Sequence, residues 1–170
     1  KFAEQLCGDM VQIARDGDTT ILVLADGLGS GVKANILSTL TSTIISTMIA
    51  AQMSIEECVS TIMETLPICS VRGVAYSTFT IIKITNNTYA EIIQYDNPEV
   101  ILLRNGQNYN YPQTVSDICG KKISRSTIKL CEDDIFIAMS DGCIHASIGQ
   151  ELNFGWDRSE IIEFMESFWQ

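Results

Sequence analysis

The sequence has few basic residues, and only one of its 170 residues is histidine. Lysine and arginine together number 11 against 21 aspartates and glutamates, which gives a net charge of −10. Nucleic acids and anionic lipids repel a chain of this charge, so we expect neither as a partner. None of the 6 cysteines stands in a C-x-x-C pair, and a single histidine cannot supply the other ligands. The sequence therefore argues against a zinc site of the Cys/His type.

The cysteines are scattered along an apolar chain, which is typical of small core residues in a reducing compartment rather than of a disulfide framework. The chain begins at Lys1 and shows no signal peptide. Residues 34–55 carry no charge, but they hold too many hydroxyl and amide side chains for a bilayer. We therefore predict a cytoplasmic domain that makes no contact with a membrane.

Hydrophobic periodicity predicts the element order β-β-α-α-β-β-β-β-β-α. Consecutive strands with grouped helices indicate an α+β domain with antiparallel sheets, because a doubly wound parallel sheet needs strands and helices to alternate. The last two predicted strands are interpreted as a pair. The predicted helices are 31–52, 54–66 and 157–169, and the predicted strands are 10–15, 19–25, 75–84, 89–96, 99–105, 124–130 and 134–140.

The first predicted helix has two unlike faces. Apolar residues from Val32 to Ile49 recur at helical spacing, so we expect this face to lie on the sheet. The opposite face carries hydroxyl groups between residues 38 and 47, which predicts contact with the second helix or with another subunit. A homodimer through residues 31–66 follows from that interpretation. Ser54 and Glu57 have the spacing of a capping box, which predicts the start of the second helix.

Two apolar strands end in the same motif, a small residue followed by Asp-Gly. The first is ILVLADG at 21–27, and the second is IFIAMSDG at 135–142. Strand ends can converge at one edge of a layered fold, where two carboxylates raise each other's pKa unless a cation compensates. Oxygen ligands suit the hard cations Mg²⁺ and Mn²⁺. The repeated motif therefore predicts a metal site that includes Asp26 and Asp141.

The glycine-rich loop after Asp26 matches neither common nucleotide-binding pattern. The Walker spacing is not met, and Ala34 stands where a hydroxyl residue would bind magnesium. The dinucleotide fingerprint lacks its third glycine and the acidic residue about 20 positions further on. We interpret residues 27–31 as a strand-to-helix turn that leaves room beside Asp26, and a nucleotide-binding domain remains a third alternative.

Three motifs in order, CGD (7–9), LADGLGSGVKA (24–34) and AMSDG (138–142), resemble the PPM family of metal-dependent (type 2C) protein phosphatases. The resemblance is to the bacterial branch of stage II sporulation protein E and the sigma-factor regulatory phosphatases. It implies an α-β-β-α sandwich of two mainly antiparallel sheets flanked by helices. It also implies hydrolysis of phosphoserine and phosphothreonine on a regulatory phosphoprotein, such as an anti-sigma factor antagonist, by a metal-bridged hydroxide.

Carried over to this sequence, the resemblance implies a site for two Mn²⁺ or Mg²⁺ ions. Asp26 matches the carboxylate that bridges both ions, and Gly27 matches the residue whose backbone carbonyl adds a ligand. Asp9 matches the acidic residue on the first strand of the site, and Asp141 matches the later aspartate that binds the second ion. Asp26 and Asp141 would thus act in catalysis through the bound metal and water.

The family also has an acidic pair on a strand near the C-terminus, and this chain ends at Gln170 before any such strand. We therefore expect residues 1–170 to form one PPM-type domain that lacks the C-terminal strand or strands. The run Glu132-Asp133-Asp134 precedes a strand and is interpreted as a solvated turn. The alternative to an active enzyme is a catalytically impaired module of the same fold that binds a regulatory partner.

Overall fold

The computed structural model describes residues 6–66, 77–146 and 155–169. The helices are α1 (Gly31–Ala50), α2 (Ile55–Thr65), α3 (Asp141–Ile144) and α4 (Arg158–Ser167). The strands are β1 (Asp9–Asp16), β2 (Thr19–Gly27), β3 (Ser77–Thr85), β4 (Tyr89–Tyr95), β5 (Ile101–Arg104), β6 (Gln107–Asn108), β7 (Thr114–Ile118), β8 (Lys121–Lys129) and β9 (Ile135–Ile137). Residues 75 and 76 of one predicted strand lie outside the described residues.

The strands form two antiparallel sheets, which confirms the predicted α+β class. Six strands form the first sheet in the order β1-β2-β3-β4-β8-β7, and three form the second in the order β6-β5-β9. Buried residues on one face of β2, among them Ile21 and Val23, pack with α1 and α2 in one apolar cluster. Ile82 and Leu102 belong to a cluster between the sheets, and Ile101 packs with Ile161 of α4 beyond the second sheet. These clusters define four layers in the order α-β-β-α.

The two strands predicted as a pair near the end of the chain belong to different sheets, so that prediction was wrong. β8 pairs with β4 and β7, whereas β9 is short and pairs with β5. The missed partner, β7, is joined to β8 by a tight turn in which Cys119 and Gly120 have φ values of 51° and 74°. A cysteine in the left-handed region gives no turn signal in the sequence, since asparagine, aspartate and glycine dominate such turns.

The apolar face of α1 was predicted to lie on the sheet, and this was wrong for the first half of the helix. The helix packs mainly on β1 and β2 and less on α2. Val32, Ile36 and Leu40 are 62%, 51% and 44% exposed. The residues that α1 buries include four hydroxyl side chains: Ser38, Thr41, Ser42 and Ser46.

Each of these four hydroxyl groups donates to a backbone carbonyl three or four residues earlier in α1, such as Thr41 Oγ1 to the Leu37 oxygen at 2.8 Å. They need no partner outside the helix, so burial leaves no polar group unpaired. Their small size also lets the helix backbone approach the sheet closely.

The predicted capping box at the start of α2 is confirmed. Ser54 Oγ accepts from the Glu57 amide at 3.2 Å, and the Glu57 carboxylate accepts from the Ser54 amide at 2.9 Å. None of the helices in the described ranges combines the length and the hydrophobicity of a membrane span.

The expectation that the cysteines fill the core was wrong for most of them. Among the described cysteines, only Cys58 is buried, while four others are exposed, and all five are free thiols. The exposed ones lie in loops, at strand ends or in α3, where a small thiol meets no steric demand. Cys69 lies outside the described residues.

The acidic run at 132–134 is not a purely solvated turn, because the side chain of Asp134 is only 2% exposed. Its carboxylate accepts from Arg104 Nε at 2.8 Å and from Arg104 Nη2 at 2.7 Å. The Cys131 amide donates to the same carboxylate at 2.9 Å. This bidentate pair holds the turn before β9 against β5, and it keeps the pKa of Asp134 below its ordinary value. Glu132 and Asp133 remain exposed as expected.

Candidate metal centre

The first two strands bring Asp9 and Asp26 side by side at one end of the larger sheet. The antiparallel register pairs Asp9 with Asp26 and continues without interruption to the hairpin at the other end. Beyond the last pair, the Gly27 amide donates to the Gly8 carbonyl at 3.1 Å. Because side chains on directly paired residues lie on the same face of a sheet, both carboxylates face the second sheet.

Asp141 reaches the same place from the second sheet. β9 ends at Ile137, and α3 begins at Asp141 after three intervening residues. Ser140 Oγ donates to Asp9 Oδ2 at 2.8 Å, so the end of the second sheet is hydrogen-bonded to the first strand of the larger one. The two Asp-Gly motifs, 115 positions apart in the sequence, therefore meet in the fold.

The electrostatics of Asp26 reflect this crowding. Burial, followed by the negative charges of Asp9 and Asp141, raises the pKa of Asp26 from 3.8 to about 7. Asp26 also shares hydrogen bonds with both neighbouring carboxyl groups, which favours its protonated form. Asp26 thus interacts with both other aspartates, and its raised pKa favours the protonated form when no cation is bound.

The glycine-rich loop carries the chain from Asp26 into α1. Gly29 and Gly31 have φ values of 101° and 70°, which residues with a side chain rarely adopt. Two contacts then fix the start of the helix at the site. Asn35 Nδ2 donates to the Cys7 carbonyl at 2.9 Å, and Ala34 lies against both Gly8 and Gly27.

A polar network next to Asp26 was not predicted. Thr78 is the register partner of Asp26 on β3. Thr78 Oγ1 donates to Asn97 Oδ1 at 2.5 Å, and Asn97 Nδ2 donates to Thr80 Oγ1 at 3.1 Å. Ser77 Oγ donates to the Asp26 carbonyl at 3.0 Å. Single hydroxyl and amide residues give no sequence signal, and only the strand register would have found them.

The donor set fits a hard divalent cation. Three carboxylates supply oxygen ligands, and mutual repulsion makes the metal-free cluster costly. Among the described residues, no three acidic, histidine or cysteine side chains are already spaced as a finished ligand cage. To hold an ion, the aspartates would have to exchange their mutual hydrogen bonds for it, with backbone carbonyls or water as further ligands.

Solved structures, among them a PP2C phosphatase domain, share this fold at low sequence identity. The RsbU and RsbW domains of Rv1364c from Mycobacterium tuberculosis give a TM-score of 0.76 at 18% identity, covering 98% of this chain and 47% of that chain. The PP2C phosphatase domain of SpoIIE from Bacillus subtilis, with a fragment of its regulatory domain, gives 0.70 at 17% identity, covering 96% and 53%. RsbX in complex with magnesium gives 0.62 at 24% identity, covering 98% and 82%.

This chain spans about half the length of the first two structures. No curated protein matches it in sequence. The family model of Stage II sporulation protein E (SpoIIE) matches residues 16–166, a range that includes Asp26 and Asp141 and begins after Asp9. Since the match covers most of the chain and the fold agrees, the chain belongs to the Stage II sporulation protein E family, a bacterial branch of the PPM (type 2C) phosphatases.

Proposed function

We propose that this domain hydrolyses phosphoserine and phosphothreonine on a regulatory phosphoprotein. One observation carries the proposal: three aspartates from two sheets converge around the half-buried Asp26 at one end of the sandwich. The proposed metal ligands are the carboxylates of Asp9, Asp26 and Asp141 and the backbone carbonyl of Gly27. Family membership supports the activity, and the matched range includes Asp26, Gly27 and Asp141 but not Asp9.

The proposed cofactors are two Mn²⁺ or Mg²⁺ ions. Bound at this cluster, they supply the Lewis acidity that turns water into a nucleophile at neutral pH and offsets charge on the phosphoryl oxygens. Asp26, whose carboxyl group interacts with both Asp9 and Asp141, would be the ligand shared by the two ions. It must give up its proton to bind them, which makes cation affinity rise with pH.

The substrate proposed is a phosphoprotein of the anti-sigma factor antagonist kind. The support is the family and the joint presence of RsbU and RsbW domains in the similar structure from Mycobacterium tuberculosis. The net charge of −10 makes nucleic acid an unsuitable substrate. Such a substrate places the domain in the cytoplasm.

Residues 31–66 are proposed as a homodimer interface. Val32, Ile36 and Leu40 follow one another at one-turn spacing on the exposed side of α1, next to the glycine-rich loop. A pair of such stripes can bury apolar area that the monomer leaves in water. Light scattering on the wild type and on Ile36→Glu tests this: we expect a dimer that the charge dissociates, and a monomeric wild type contradicts it.

The extent of the domain is also a proposal: residues 1–170 form one PPM-type unit that lacks the C-terminal strand or strands. Within the described part of the chain, β9 is an edge strand of the second sheet. Beside it, an apolar groove of about 230 Å³ is lined by residues such as Val11, Leu24 and Phe136. A further strand beside β9 would cover this groove.

The function is tested by hydrolysis of p-nitrophenyl phosphate and of phosphopeptides with and without Mn²⁺. We expect Mn²⁺-dependent turnover in the wild type and its loss in Asp26→Asn, with the fold retained. Asp18→Asn, an exposed aspartate in the turn at the other end of β2, is the matched control and should keep full activity.

Three other results would overturn the proposal. Normal turnover by a folded Asp26→Asn protein would exclude the site. Mn²⁺ binding without turnover would favour the impaired regulatory module. Thermal stabilisation by ATP that does not need Asp141 would favour a nucleotide-binding domain.

A further inference from the structure

Ser140 occupies the N-cap position of α3 but does not cap it. A serine at this position, with φ −84° and ψ 170°, ordinarily accepts a hydrogen bond from an amide in the first turn. Ser54 does so at the start of α2. The Ser140 side chain makes no such bond. Its Oγ donates instead to Asp9 Oδ2 at 2.8 Å, across 131 positions of sequence.

This hydrogen bond joins the two sheets at the carboxylate cluster. Asp9 begins the edge strand of the larger sheet, and Ser140 follows β9, the edge strand of the smaller sheet. The two strands do not pair with each other, so no backbone ladder fixes their separation here. The distance between Asp9 and Asp141 therefore depends on side-chain contacts such as this one.

The direction of the bond suits a metal ligand. A hydroxyl that donates to one carboxylate oxygen fixes the plane of the carboxylate and leaves lone pairs on both oxygens for a cation. Outer partners of this kind orient the ligands of metal sites, and their loss typically weakens metal binding by about 10- to 100-fold.

We propose that Ser140 is a positioning residue that orients Asp9 and holds the two halves of the metal centre together. The proposal rests on the proposed function, because it assumes that Asp9 and Asp141 bind a cation. It predicts a role for Ser140 in metal affinity rather than in helix capping. A capping serine, by contrast, would affect stability alone.

The test compares Mn²⁺ affinity in Ser140→Ala, Ser140→Thr and the matched cap variant Ser54→Ala, measured by calorimetry and by electron paramagnetic resonance of free Mn²⁺. We expect Ser140→Ala to weaken binding at least tenfold. Ser140→Thr should restore it to within about threefold, because the extended backbone accepts a branched side chain and the hydroxyl is kept. Ser54→Ala should lower the melting temperature and leave Mn²⁺ affinity within twofold.

A second measurement works without metal. A double-mutant cycle of Ser140→Ala and Asp9→Ala on the unfolding equilibrium should show effects that depart from additivity by at least fivefold. Additive effects, or unchanged Mn²⁺ affinity in Ser140→Ala, would overturn the role of Ser140. Asp26→Asn separates this failure from failure of the proposed function. If wild-type Mn²⁺ binding is absent or does not need Asp26, both proposals fall.

Discussion

Gly27 lies against Ala34 so closely that a Cβ atom on Gly27 would be 2.0 Å from the Ala34 carbonyl oxygen. A Cβ atom on Gly8 would lie 3.3 Å from the Ala34 Cβ atom. The first turns of α1 therefore rest on both strands that carry the carboxylates, one residue away from each. A displacement of α1 would move the backbone at Asp9 and Asp26 together, which couples the helix to the candidate metal centre.

This contact predicts that Gly27→Ala is strongly destabilising. The methyl group meets backbone atoms that cannot rotate away, so β2 and α1 must separate, at a cost of about 3 kcal/mol. Urea unfolding measures this loss of stability. Gly17→Ala, in the open turn at the other end of β1, meets no atom within 4 Å and should cost only about 1 kcal/mol for its φ of 54°. Equal losses in the two variants would contradict the close contact.

The raised pKa of Asp26 predicts how the stability of the metal-free protein varies with pH. Because the folded protein holds this proton more tightly than the unfolded chain, the contribution of Asp26 is full below pH 3.8 and is lost as pH rises through about 7. We therefore expect the wild type to lose more stability than Asp26→Asn between pH 5 and pH 8, measured by urea unfolding. Saturating Mn²⁺ should reverse the loss in the wild type only. Parallel pH profiles for the two proteins would show that the carboxylates are not crowded.

The layered fold and the meeting of the two Asp-Gly motifs could be predicted from the sequence, since both follow from strand periodicity and from a motif that recurs. Which face of α1 is buried could not be predicted in this way. Hydropathy assigned Val32, Ile36 and Leu40 to the core, but these side chains are exposed. The helix instead buries short hydroxyl side chains, because they donate hydrogen bonds to carbonyl groups of their own helix and are small enough for close packing.

The residues around the aspartates were missed for a different reason. Ser140 and Asn97 act through hydrogen bonds to residues far away in the sequence, and each looks like an ordinary turn residue. The burial of Asp134 likewise depends on Arg104, which lies on a strand of the same sheet but 30 positions earlier. Such pairs become visible only when the strand order is known.

The pair between Arg104 and Asp134 predicts a stability effect far from the candidate metal centre. Asp134→Asn removes the charge-assisted bidentate hydrogen bonds of the partly buried Arg104 guanidinium, so it should destabilise the fold by about 2 kcal/mol. Asp133→Asn is the matched control, because Asp133 is exposed and asparagine accepts its φ of 62°. The lowered pKa of Asp134 means that the pair stabilises the fold above pH 3.8 and that this contribution is lost as pH falls further. Equal urea midpoints for the two variants would show that the buried pair contributes nothing.

The buried hydroxyl groups of α1 predict that lysine affects stability differently at Ser46 and at Thr43, which lies about one helical turn earlier. Ser46 is 2% exposed, and its Oγ bonds only the Thr43 carbonyl of the same helix. Ser46→Ala should therefore be nearly neutral, whereas Ser46→Lys forces an ammonium group against the sheet and should cost more than about 3 kcal/mol. Thr43 is exposed, so Thr43→Lys should change stability by no more than about 0.5 kcal/mol. Urea unfolding at pH 7 compares the three variants. A tolerated Ser46→Lys would mean that this part of α1 can lift from the sheet, and that α1 holds the metal centre less firmly than the contact between Gly27 and Ala34 implies.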